Sequence, residues 1–140
     1  MLAYRSHSEA ELRSRLQRAG FDDRVTEAAL ERLRSLHYIN DEALARNWAT
    51  SAQKRGFGSK RIEQELTAKG ISEALAREAI RESFGGTDET EHAKKLLRKT
   101  YKGKNLKEAK TLRRAAAFLD RRGYSESVIA MALREYSDDN

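Results

Sequence analysis

The feature that most restricts the fold of this 140-residue chain is a phrase it uses three times. When Gly20, Gly70 and Gly123 share one column, the residue four before is always leucine (Leu16, Leu66, Leu119), and the residue just after is large and apolar (Phe21, Ile71, Tyr124). The match continues at Asp22, Ser72 and Ser125, then at Val25, Leu75 and Val128, and then at Ala29, Ala79 and Ala132 beside Leu30, Ile80 and Leu133. Size and polarity kept at fixed offsets over about 50 residues mark an internal repeat. A unit below about 60 residues buries too little surface to stand alone, so neighbours must stack and share a core.

Within each unit the pattern is helical. Ser8 with Glu11 forms a capping box, after which Leu12, Leu16 and Ala19 share one face and Gly20 supplies the left-handed stop. Asp22 or Asp23 caps a second helix with a buried stripe of Val25, Ala29, Leu30 and Leu33, and "HYIND" makes the next turn. Asn40 or Asp41 caps a long third helix carrying Leu44, Trp48 and Ala52, which "GFGSK" ends. The second unit repeats these roles with Ile62 and Leu66, then with Ser72 before Leu75, Ala79 and Ile80, and a helix from Thr87 or Asp88 to about Tyr101. The third rises near Asn105, stops at Gly123, restarts after Ser125 and reaches Tyr136, where the acidic "SDDN" leaves no room for a further helix. With no proline and 36% charged residues, the composition favours helix throughout. The expected fold is all-α: an elongated, curved array of tandem three-helix repeats, cut at residues 1–55, 56–104 and 105–140, with three, three and two helices.

Chemistry is sparse. The absence of cysteine excludes disulfides and thiolate chemistry, and His7, His37 and His92 stand far apart with no partner at ligand spacing. His37 reads as a turn residue and His92 as a solvated helix residue. The carboxylates alternate with Arg and Lys at helical spacing, as solvated ion-paired faces do. "GFGSKR" resembles a phosphate cradle, yet it lacks the Walker spacing, and a linker with a helix start accounts for it. Trp48 falls on the core side of its helix rather than on a base-stacking surface. No enzyme activity, cofactor or metal is expected. The opening "MLAYRSHSEAELR" has no apolar run of signal-peptide length and no later stretch could span a bilayer, so a soluble cytoplasmic protein, monomeric and free of membrane, is expected.

Charge is the strongest functional signal. The chain carries a net +6, but between Lys94 and Arg122 twelve Lys or Arg face only Glu108 and Asp120, a local excess of +10 that leaves −4 elsewhere. Lys94, Lys95, Arg98 and Lys99 recur at helical steps as one broad stripe, which Lys102, Lys104, Lys107, Lys110, Arg113 and Arg114 extend. Such density of one sign is self-repelling unless a polyanion or acidic protein groove relieves it. Sequence-specific readout by a helix after each glycine turn is disfavoured, because Asp22, Asp23, Glu27, Glu31, Glu73, Glu78, Glu82, Glu126 and Glu135 lie there and phosphates would repel them.

Four segments in order, "RSHSEAELRSRL" (Arg5 to Leu16), "LHYINDEALA" (Leu36 to Ala45), "GFGSKRIEQELTAKGI" (Gly56 to Ile71) and "LDRRGYSESVI" (Leu119 to Ile129), resemble the RecX family of regulators of the RecA recombinase. The resemblance implies a non-enzymatic array that binds the groove of the RecA–DNA filament and inhibits ATP hydrolysis and strand exchange, within recombination, DNA repair and the SOS response. It adds Lys60, Arg61, Arg121 and Arg122 to the basic run as partner or DNA contacts. Direct contact with single- or double-stranded DNA is the second reading, in which the protein binds DNA non-specifically through residues 94–122. Two departures stand out: Ser59 occupies a place where family members often carry proline, and the third unit ends after two helices.

Overall fold

The computed structural model describes residues 7–139, with eight helices and no strand among them. They are α1 (Glu9–Arg18), α2 (Asp23–Ser35), α3 (Asp41–Lys54), α4 (Ser59–Ala68), α5 (Glu73–Ser83), α6 (Glu89–Thr100), α7 (Ala109–Arg121) and α8 (Glu126–Asp139). Most starts are set by a short polar side chain that accepts an orphan amide. Ser8 completes the capping box with Glu11, and Asp22, Asn40, Ser72, Asp88 and Ser125 accept from the first turns of α2, α3, α5, α6 and α8. Gly20, Gly70 and Gly123 take φ of 97°, 85° and 93°, which lets the chain reverse after α1, α4 and α7. Among the described residues His37 is the one non-glycine residue with positive φ, in the turn between α2 and α3.

The helices do not pack in the groups that the repeat suggests. Counting from the glycine column, α3 closes the first unit and α6 the second. In space α3 packs on α5 and α4, while α6 packs on α8, which also packs on α7, and α1 pairs with α2. One core gathers Leu44, Ala45, Ala49, Ala52, Ile62, Leu66, Ile71, Ala76, Ala79, Ile80 and Phe84 from α3 to α5. A second gathers Ala93, Leu97, Leu106, Ala115, Leu119, Tyr124, Ile129, Ala132 and Tyr136 from α6 to α8. The bodies are therefore α1–α2, α3–α5 and α6–α8, and the cuts expected at residues 55 and 104 fall one helix late. The cause is that α3 and α6 each present their small apolar stripe forward, to the helix pair that follows.

Several local expectations change for the same reason. Among the described residues no helix covers α2 as α3 covers α5, so Phe21 is 49% exposed where Ile71 and Tyr124 are 3% and 1%, and Val25 is 47% exposed. The buried stripe of α2 runs instead through Thr26 and Leu30. Tyr38, in the turn between α2 and α3, is 62% exposed. α8 continues past Tyr136 to Asp139.

The three bodies are joined end to end through α1, α4 and α7. The last turn of α7 meets the first of α4: the amides of Gly58 and Lys60 donate to the carbonyls of Arg122 and Gly123 at 2.7 and 3.0 Å. The last turn of α4 meets the first of α1 in the same way, where the Ser8 hydroxyl donates to the Lys69 carbonyl. Each joint is completed by a carboxylate from the first residue of the covering helix. Asp41 accepts from the Glu9 amide at 3.0 Å, and Glu89 accepts from the Ser59 amide at 3.1 Å. At the α7–α4 joint orphan carbonyls of one helix end thus satisfy orphan amides of the next, and at the α4–α1 joint the Ser8 hydroxyl takes that donor's part. The surface of 9290 Å² exceeds the roughly 7400 Å² of a compact 16 kDa globule, as an elongated array requires.

Candidate functional site

The joint between α4 and α7 brings cations together around one ring. Phe57 packs against the core of α3–α5 and carries three guanidinium groups, Arg61, Arg122 and Arg55, at 3.9, 5.0 and 5.3 Å from its centroid. Arg122 also lies 5.5 Å from the Phe118 ring, and its Nη1 donates to the Arg55 carbonyl at 3.0 Å. Arg61 pairs with Glu65 at 3.6 Å. Stacking on an aromatic face holds guanidinium planes in place while their edges stay available to an anion.

Beside this cluster, between the end of α3 and the side of α6, lies a cleft of about 340 Å³ lined by Gln53, Lys54, Arg55, Gly56, His92, Lys95, Leu96, Lys99 and Tyr124. His92, Lys95 and Lys99 reach it together because steps of three and four return to one helix face. The Gln53 side-chain nitrogen lies 2.7 Å from His92 Nδ1, which therefore accepts, and the ring stands edge-on to Phe84 at 4.9 Å. Burial, with Lys95 adding to it, holds the imidazole below its ordinary proton affinity, so it is neutral. Tyr124 donates its hydroxyl to the Gly56 carbonyl at 3.1 Å, and burial pushes its pKa up to about 12, with Glu89 adding to the shift.

The basic run divides when placed on this frame. Lys94 is not part of the exposed stripe: it is 6% exposed and faces α8, with Glu91 at 3.5 Å and Glu135 at 4.0 Å. Arg122 is half-buried in the joint, where it ties α7 to the end of α3. Lys95, Arg98 and Lys99 are exposed on α6, Lys102, Lys104 and Lys107 on the following segment, and Lys110, Arg113, Arg114 and Arg121 along α7. Lys60 is exposed at the start of α4, next to half-buried Arg61. His92, expected to be solvated, is half-buried and hydrogen-bonded. Sequence reasoning missed Lys54, Arg55, Phe57 and Tyr124 as neighbours of the basic run. One signal was available, since Tyr124 adds a hydroxyl at the column where Phe21 and Ile71 are wholly apolar.

The exposed cations of α6 and α7 contrast with those of α1 to α5. There, several arginines are matched by acids on the same or a neighbouring helix: Arg13 with Glu9 and Glu27, Arg34 with Glu9 and Glu31, Arg46 with Glu42 and Glu82, Arg77 with Glu63 and Glu73, and Arg81 with Glu78, while Arg15, Arg18, Arg24, Arg32 and Arg55 have no ion pair among the described residues. Among the described residues, no ion pair engages Lys95, Arg98, Lys99, Lys102, Lys104, Lys107, Lys110, Arg113, Arg114 or Arg121. One half of the array is charge-balanced, and the other presents positive charge to solvent. Among the described residues no cluster of His or carboxylates could hold a metal, and no helix is long and apolar enough to cross a membrane.

Profiles of two RecX domains match this architecture, the first three-helix domain over residues 1–33 and the second over residues 40–80. The second match begins at the cap of α3 and ends in α5, and so follows the packing. A regulatory protein RecX of Trichlorobacter lovleyi is 34% identical over 92% of this chain and 86% of its own length. The chain belongs to the RecX family. A regulatory protein RecX of Amycolatopsis mediterranei is 33% identical over the whole chain and 83% of its own length. The crystal structure of RecX from Lactobacillus salivarius shares the fold, with a TM-score of 0.78 at 19% identity over 96% of this chain and 88% of that one. A second RecX crystal structure superposes with a TM-score of 0.74 at 25% identity, over 99% of this chain and 66% of that one.

Proposed function

We propose that this RecX-family chain regulates the RecA recombinase without catalysis of its own, by lying along the RecA–DNA filament and inhibiting ATP hydrolysis and strand exchange. The observation that carries the reading is the unbalanced half of the array. An elongated rod whose α6–α7 face holds unpaired cations, while its α1–α5 face is internally neutralised, is built to lie against an extended polyanion or an acidic groove. The residues assigned to that contact are Lys60, Arg61, Lys95, Arg98, Lys99, Lys102, Lys104, Lys107, Lys110, Arg113, Arg114 and Arg121. Lys94 and Arg122 act from inside the fold, by holding α6 and α7 in place.

The test is RecA's ATP hydrolysis on single-stranded DNA, with DNA in excess and this protein well below the RecA concentration. Inhibition is expected, since a bound molecule that blocks filament growth affects many RecA subunits. An unchanged rate would leave the second reading, non-specific DNA binding, which the unpaired cations also favour. That reading requires inhibition only when DNA is limiting, and a log affinity for duplex that falls by about 0.9 per phosphate contact with log salt.

A further inference from the structure

We infer that the cleft between the end of α3 and α6 is a phosphodiester site that takes one nucleotide of a single strand. The inference deepens the proposed function, since it rests on the cationic face meeting the nucleic acid of the filament. Four cations from two elements converge there, Lys54 and Arg55 from the end of α3 and Lys95 and Lys99 from α6. None of the four has an ion-pair partner among the described residues. A helix C-terminus ordinarily repels an anion through its carbonyls. At this end the Arg55 and Gly56 carbonyls are turned to other uses, since they accept from Arg122 Nη1 and the Tyr124 hydroxyl. The neighbouring carboxylate, Glu89, is bound to the Ser59 amide.

The remaining wall is half apolar, with Leu96 and the neutral His92 ring facing the same space as the cations. A volume of about 340 Å³ is at the small end of ligand clefts. It admits a sugar, its phosphate and part of a base, but not the width of a duplex. Cations on one side and a ring with an aliphatic side chain on the other make the combination that single-strand binders use, where charge follows the backbone and flat apolar surface meets the bases. From the cleft, the exposed cations of α6 continue the path along the strand.

The test uses the whole chain and a fluorescently labelled oligo-dT, with anisotropy read over a range of salt. In Lys95→Gln/Lys99→Gln two exposed side chains at the cleft lose charge, and circular dichroism checks that the fold is kept. Arg15→Gln/Arg18→Gln, at two exposed cations of α1 outside the assigned contact, removes the same charge away from it. The cleft pair is expected to weaken binding and to lower the salt slope by about 1.4, the loss of two single-strand phosphate contacts at about 0.7 each. The distant pair is expected to lower it by less than half as much. Equal losses from the two pairs, or tighter binding to a duplex of the same length than to the single strand, would overturn the site. RecA inhibition separates this inference from the reading beneath it. If the cleft variant binds the oligonucleotide normally but no longer inhibits RecA, the cleft meets an acidic protein surface, and the site is refuted while the regulator stands. If the unmodified protein does not inhibit RecA but its strand binding depends on the cleft pair, the regulator falls and the site stands.

Discussion

Thr26 holds a side-chain oxygen that is buried without a hydrogen-bond partner, the one such atom among the described residues. It stands six past Gly20, in the column that Ala76 and Ile129 fill in the later repeats. An unsatisfied hydroxyl in an apolar setting costs stability, so Thr26→Val, which keeps the shape, is expected to stabilise the fold by about 1 kcal/mol in urea unfolding. A loss of stability would mean that the oxygen is bonded after all. His92 adds a pH dependence. Its proton affinity is lowered in the fold by burial and Lys95, so the unfolded chain is the better proton acceptor. Stability is then full above the ordinary value near 6.5 and falls as pH drops through it. The thermal midpoint is expected to drop between about pH 7.5 and pH 5.5, and His92→Gln is expected to shrink that drop; an equal drop in the variant would refute the assignment. At this scale the sequence was partly readable. Helical steps group Lys94 with Lys95 and Arg98, but they do not say which edge of the stripe meets α8, because Glu135, which settles it, lies on a distant helix.

Helix starts were the most legible elements, since a cap such as Ser72 or Asp88 acts within its own turn. The partners of each helix were not. A repeat can be cut at any phase with the same period, and only the contact of α3 with α5 and of α6 with α8 fixes the phase. The joints were also unreadable, because each of their bonds engages a backbone group of a helix end with a partner far away in sequence. They place unequal demands on the three column glycines. A Cβ at Gly20 meets nothing within 4 Å, so Gly20→Ala bears only the left-handed backbone, a cost of roughly 1–2 kcal/mol. At Gly123 a Cβ would also lie 2.7 Å from the backbone nitrogen of Arg61, and at Gly58 it would lie 2.6 Å from the Gly123 carbonyl oxygen. Gly123→Ala is therefore expected to destabilise the chain clearly more than Gly20→Ala in denaturant unfolding. Equal costs would mean that the α4–α7 joint yields without loss.

For the molecule as a whole, the all-α array followed from periodicity, because a repeat too small to fold alone leaves few architectures. The charge imbalance was legible as a sum over residues 94–122, but the cleft was not, since half its cations, Lys54 and Arg55, lie outside that run. The end-to-end joints of α1, α4 and α7 have a further consequence. They fix distances rather than side chains, because their bonds are largely to peptide groups and their anchors stand at a set count along the chain: Ser8 and Gly58 at one end of the helices, Lys69 and Gly123 at the other. A substitution on the outer face leaves that metre intact. One residue added or removed inside α4 would turn everything beyond it by about 100° about the helix axis, and only one of its two joints could then close. The chain is thus far more open to misspelling than to miscounting.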